Sequence, residues 1–128
     1  MATDRPDAQQ AYAIRARNLA RESKEGVLIA LATDGNVPWA HHLEMEDMVA
    51  AGMTPAQVIV AATRNAAQVL KLSDLGTIAA RKSADFIVLD ANPLDDITNT
   101  RRIAAVYLRG TAVDRAVLRE RWTGRKSQ

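Results

Sequence analysis

Residues 26–36 read GVLIALATDGN, an unbroken apolar run that ends in a polar turn. A short run of this kind, with Gly before it and Thr33, Asp34 and Gly35 after it, suits a strand buried on both faces, as in parallel sheets and barrels. Such a strand needs helices over it, so the expected class is α/β. In these architectures the chemistry lies where strands finish, and Asp34, just past the last apolar residue, is placed at the mouth of a site. Thr-Asp-Gly-Asn is also ordinary turn chemistry, because Asp and Asn bond nearby backbone and Gly accepts positive φ. On the tetrapeptide alone the turn reading of Asp34 is the better one, and the rest of the chain has to move it.

With 128 residues, 48% of them hydrophobic and 25% charged, the chain has the composition of one domain able to bury a core. It is too short for a complete eightfold barrel, which takes about 250 residues. The formal charge is +2, with basic and acidic residues interleaved, which disfavours nucleic acid as a partner. The exception is the tail, where Arg115, Arg119, Arg121, Arg125 and Lys126 outnumber Asp114 and Glu120; it reads as a solvated helix face with a frayed end. The absence of cysteine excludes disulfides, thiolate metal sites and cysteine nucleophiles. No run is long enough to cross a membrane and the start, MATDRPDAQQ, lacks the regions of a signal peptide, so the compartment stays open with the cytoplasm favoured.

In chain order, Ala8, Ala11, Tyr12, Ala16, Leu19 and Ala20 fall on one stripe of a helix predicted over residues 6–24, which ends at Gly26. The strand follows at residues 27–32. A second helix is expected over residues 41–51, with Met45, Met48 and Val49 inward and Gly52 as its stop. Thr54-Pro55-Ala56-Gln57 is a capping box with Pro at the first helical position, starting a helix that carries Val58, Ile59, Ala62, Ala66, Val69 and Leu70. Beyond Asp74 the period changes. Residues 76–78, 84–90, 103–109 and 112–113 read as short strands, with turns at Asn92-Pro93 and Gly110-Thr111, and Asp114 can cap a last helix carrying Val117, Leu118 and Trp122. A division falls near Leu72, giving a barrel-like part at 1–72 and a β-rich part at 73–128.

Three stretches in this order, LATDG, LEMEDMVAAGMTPAQVIVAATRNAAQVL and LGTIAARKSADFIVLDANPLDDI, resemble the C-terminal part of the amidohydrolase superfamily, nearest to its imidazolonepropionase-like members. The resemblance covers roughly residues 27–114 and departs from the family at Arg81, where Gly is usual before Lys82-Ser83-Ala84-Asp85. It implies the C-terminal fragment of a (β/α)₈ barrel, the last strand and the helices after it, plus a small portion of a β-sandwich. Residues 27–32 are similar to the eighth strand, and Asp34 matches the family's metal-binding aspartate, implied to ligate a divalent metal, zinc foremost, and to take the proton of the attacking water. The implied activity is hydrolysis of carbon–nitrogen bonds, such as those of cyclic amides, in small molecules. A metal of that kind lowers the pKa of its water toward neutrality, and a nearby carboxylate can accept and later deliver the proton.

The family's other ligands lie before the eighth strand. Of the two histidines here, His41 and His42 are adjacent, point about 100° apart on a helix and cannot both face one metal, although one can approach the mouth from the loop after Asp34. Catalytic zinc needs about three protein ligands and an open position, so the chain alone is expected to be inactive. Its apolar strand is expected to oligomerise or to dock on another chain. Two further readings stay open: a non-catalytic interaction module, and a subunit of a split enzyme. Asp85 and Asp90 are five apart, on opposite faces of a regular strand, and make no carboxylate pair; Thr63 and Asn65 are expected to pack or bond locally.

Overall fold

The computed structural model describes residues 6–34 and 37–124. Helix α1 spans Pro6–Lys24, α2 Ala40–Ala50 and α3 Pro55–Val60; α3 runs through a π-helical stretch, Ala61–Asn65, into α4, Ala66–Val69. Strand β1 is Phe86–Leu89, followed by a 3₁₀ turn at Ile97–Arg101, β2 at Ile103–Leu108, β3 at Thr111–Ala112 and α5 at Arg115–Thr123. Gly35 and Asn36 of the predicted turn, the side chains of Ala8 and Tyr12, and the basic tail residues Arg125 and Lys126 lie outside the described residues.

The helix starts follow their sequence signals closely. The Thr54 hydroxyl accepts from Gln57 N–H at 3.2 Å while Gln57 Oε1 accepts from Thr54 N–H at 2.8 Å, the reciprocal pair that satisfies two donors at the head of α3. Asp114 Oδ1 accepts from the amides of Ala116 and Val117, each at 3.0 Å, and caps α5. The 3₁₀ turn has no precedent in the periodicity. Its signal is Asp96, whose carboxylate accepts from the Thr98 hydroxyl and amide, which holds its pKa below the usual carboxylate value.

The core is a cluster of Met48, Met53, Val58, Ala61 and Ile97, with Leu19, Ile29, Leu31, Met45, Val49 and Ile59 packed against it. The methionines are therefore core, as expected. Ile97 carries the 3₁₀ turn into the helical layer, so the β-rich segment and the helices share this cluster. Of the predicted stripe of α1, Ala16, Leu19 and Ala20 are partly covered, whereas Ala11 is exposed.

The sheet is antiparallel in the order β1-β2-β3, with Phe86 opposite Tyr107 and a register shift between Val88 and Leu89. The Phe86 and Tyr107 rings stack at 4.7 Å between centroids. The hairpin between β2 and β3 turns at Arg109 and Gly110, one residue earlier than expected, with φ of +51° and +78°. Positive φ at both central residues is what a two-residue hairpin loop needs to follow the twist of its strands.

Two expectations are corrected. Residues 27–32 carry no regular secondary structure and form no ladder, because no other described strand pairs with them; a strand exists only by pairing, and the apolar pattern carries no information about where the partner is. Residues 76–78 likewise form no strand: Ile78 is 85% exposed, and the backbone there is shaped by contact with the helix. A Cβ on Gly76, whose φ is +82°, would stand 2.6 Å from Ala67 Cβ and 2.9 Å from the Thr63 carbonyl oxygen, so the loop presses its bare backbone onto the π-helical stretch. The β-rich part is a single three-stranded antiparallel sheet among the described residues.

Candidate functional site

Residues 27–34 meet the helix of α3, the π-helical stretch and α4 at Ile29 and Leu31. Asn65 Nδ2 donates to the Ile29 carbonyl at 2.7 Å, and Leu31 N–H donates to the Ala61 carbonyl at 3.1 Å. The donor and the acceptor on the helix side come from the two ends of the π-helical stretch, where the ladder changes register and main-chain groups become open to outside partners. Ile29 and Leu31 turn their side chains into the core while Val27 and Leu28 remain about half exposed. Thr63 does bond locally, its hydroxyl donating to the Ile59 carbonyl at 2.7 Å. Asn65 does more: its bond reaches 36 residues back along the chain, which no local pattern could have signalled.

Asp34 comes after this docked stretch and is exposed. It lines neither the groove between α1 and α2, bounded by Arg15, Leu19, Glu44 and Met48, nor the groove between residues 26–29 and the α3–π stretch. The histidines are occupied elsewhere. His42 Nδ1 lies 3.0 Å from the Thr100 hydroxyl, which itself donates to the Ile97 carbonyl at 2.8 Å. Burial, the neighbouring His41 and Arg101 lower the His42 pKa from its ordinary 6.5, against the opposing pull of Glu46. His41 packs its ring on His42 at 4.3 Å between centroids, and Arg101 Nε pairs with Glu46 Oε1 at 2.7 Å. This cluster ties α2 to the 3₁₀ turn.

No group of three or more His, Asp or Glu side chains able to hold a metal occurs among the described residues. Asp34 is a single candidate ligand, and the aspartates that flank β1 have structural roles. Asp85 accepts from the Ser83 hydroxyl and, at 3.2 Å, from Arg109 N–H, which fixes the approach to the hairpin. Asp90 closes the other end of β1 through its own amide, which donates to the Arg102 carbonyl at 2.8 Å. Arg81, the position where Gly is usual in the family, takes φ of +67° all the same, so the turn keeps the left-handed backbone that glycine would adopt without strain.

The model of the amidohydrolase family matches residues 3–113. The chain belongs to the amidohydrolase family. Over 94 residues it is 35% identical to the imidazolonepropionase of Deinococcus radiodurans, an alignment that takes in 66% of this chain and 23% of that protein. Among solved structures it is similar to a molinate hydrolase, at 34% identity and a TM-score of 0.70 over 76% of this chain and 26% of that one. A phenylurea hydrolase B gives 35% identity and a TM-score of 0.70 over 80% of this chain and 26% of that one. The chain thus spans about a quarter of the length of the relatives it matches. No described helix is long and apolar enough to cross a membrane.

Proposed function

We propose that this amidohydrolase-family chain is the C-terminal segment of a hydrolase acting on carbon–nitrogen bonds, contributing Asp34 to a catalytic centre whose other groups come from further barrel strands. The observation that carries this reading is the position of Asp34 at the carboxyl end of an extended apolar segment, in a chain that the family model matches from residue 3 to 113. The division near Leu72 assigns residues 1–72 to the end of the barrel and 73–128 to the β-rich part.

The described residues do not by themselves fit a catalytic metal. A zinc centre takes about three protein ligands with one position left open, and this chain offers one carboxylate. What it supplies is an anionic oxygen on a short side chain, held on a segment packed into the core at Ile29 and Leu31. Many large apolar side chains remain uncovered, including Val69 at 56% and Leu70 at 67% exposure at the end of α4. Together with the unpaired residues 27–32 they support a chain that functions packed on further polypeptide. The similar structures carry the names of hydrolases of different compounds, so the substrate class is kept at carbon–nitrogen bonds of small molecules.

Asp34→Asn tests the reading, because it keeps the shape and removes the charge. In the assembled barrel the variant should lose hydrolysis by at least about a hundredfold, as expected for loss of a catalytic acid–base group, and should lose bound divalent metal measured by elemental analysis. Unchanged metal content and turnover, with assembly intact, would leave the non-catalytic interaction module as the better account.

A further inference from the structure

The uncommon feature of residues 27–34 is that an extended apolar stretch is held by a helix. The two bonds that hold it obey a common geometry. Ile29 and Leu31 are two residues apart, so their backbone polar groups face the same edge of the extended chain. Two extended residues advance about 6.6 Å. Ala61 and Asn65 are four apart and stand at the two ends of the π-helical stretch. Both bonds bridge the same two elements, so they form together when the segment runs alongside the helix in one register.

Register matters because the segment ends at Asp34. A slip of one residue would exchange Ile29 and Leu31 for their neighbours on the core side, and a slip of two would carry Asp34 about 6.6 Å along the helix. The Ala61 carbonyl is a main-chain group that every sequence possesses. Asn65 is the sequence-specific half of the pair, an amide donor aimed at one carbonyl and partly buried. Its neighbourhood explains why the residue must donate. An ionised Glu or Asp would face the Ile29 carbonyl oxygen with a second acceptor, and an apolar residue would leave that oxygen without its partner.

We propose that Asn65 is a positioning residue that sets the register of the Asp34-bearing segment on the π-widened helix. The functional weight of this register rests on the catalytic reading of Asp34; the docking itself does not. Asn65 donates to the Ile29 carbonyl and acts through residues 29–31.

The test is amide hydrogen exchange by NMR on the ¹⁵N-labelled full chain, comparing Asn65→Ala, Asn65→Asp and Thr63→Ala. The Leu31 amide bonds to Ala61 and never to Asn65, so it reports register at one remove. Relative to wild type, Asn65→Ala should speed Leu31 exchange roughly five- to tenfold, the loss of one hydrogen bond, and shift the Asp34 amide resonance. Amides in the β1–β2 ladder should stay protected, and Thr63→Ala should leave Leu31 as in wild type. Asn65→Asp supplies the readout that a mere folding role would not move. At neutral pH its carboxylate repels the Ile29 carbonyl and Leu31 should exchange as in Asn65→Ala; below about pH 4 the protonated carboxyl can donate, and the ratio to wild type at the same pH should fall back toward one.

Unaltered Leu31 exchange in Asn65→Ala, or no recovery of Asn65→Asp on acidification, overturns the proposal. Where Asn65→Ala fails to fold, seen as loss of ladder protection, the acid recovery of Asn65→Asp decides alone. Docking that behaves as described in a chain whose Asp34→Asn variant retains hydrolysis would uphold the register and sink the catalytic reading. The opposite pair of results would do the reverse.

Discussion

Strand β2 and residues 27–32 are both extended and apolar, yet the molecule satisfies them in opposite ways. β2 lies between β1 and β3, so its backbone partners are other strands of the same chain, reached through a two-residue turn on one side and the 3₁₀ turn on the other. Residues 27–32 have a helix for a neighbour, and two hydrogen bonds replace a ladder. The central strand of the sheet is completed within this chain. The Asp34-bearing segment pairs with no other described strand and is held on the helix at Ile29 and Leu31.

The largest effect should come from crowding the helix side. Gly76→Ala forces a methyl group against Ala67 and the Thr63 carbonyl at a positive φ, and should cost about 2–4 kcal/mol in urea denaturation. A loss under about 0.5 kcal/mol would show that the loop does not press on the π-helical stretch as described. The sheet side should break separately and more mildly. Phe86→Leu removes the stack on Tyr107 and should cost about 0.5–1.5 kcal/mol, with ladder amides losing protection while Leu31 keeps it. Equal loss at both places would merge the two regions into one cooperative unit.

Two smaller effects sharpen the picture of the segment between them. Arg81→Gly relieves a left-handed backbone at a non-glycine residue, offset by the greater freedom of glycine in the unfolded chain, and should raise stability by up to about 1 kcal/mol. A clear destabilisation would mean that the arginine side chain holds the turn. The smallest is a pH effect. His42 has a folded-state pKa below its ordinary 6.5, so the unfolded chain binds the proton more readily. That contribution to stability is present above about pH 6.5 and is lost as pH falls through this value toward the folded pKa. His42→Gln should flatten this part of the stability profile, and an unchanged slope would remove the histidine from it.

Much of the fold is legible in the residues themselves. Thr54-Pro55-Ala56-Gln57 and Asp114 announce helix starts because the side chains that cap them are a few residues away, and α1, α2 and the hairpin strands follow from local period and turn chemistry. Residues 27–32 mislead for the complementary reason. Their extended, apolar character is local and suggests a formed strand, but pairing depends on a partner that local pattern does not name. The bond from Asn65 to Ile29 is beyond reach in the same way, since one amide side chain in a helix gives no sign of what it meets 36 residues earlier. The proposal for Asp34 rests on its place after an apolar run and on the family resemblance, both read from the sequence. The structure adds that His42 is committed to Thr100, at the junction of α2 and the 3₁₀ turn.

The most direct measurement of the central claim is native mass spectrometry of this chain taken from its own source, reading assembly mass and bound metal in one spectrum. The account predicts an assembly near the mass of a whole barrel that carries divalent metal, with the metal absent when Asp34 is replaced by Asn. A metal-free monomer, or a homo-oligomer without metal, would contradict it and leave this chain as a packing module of hydrolase ancestry.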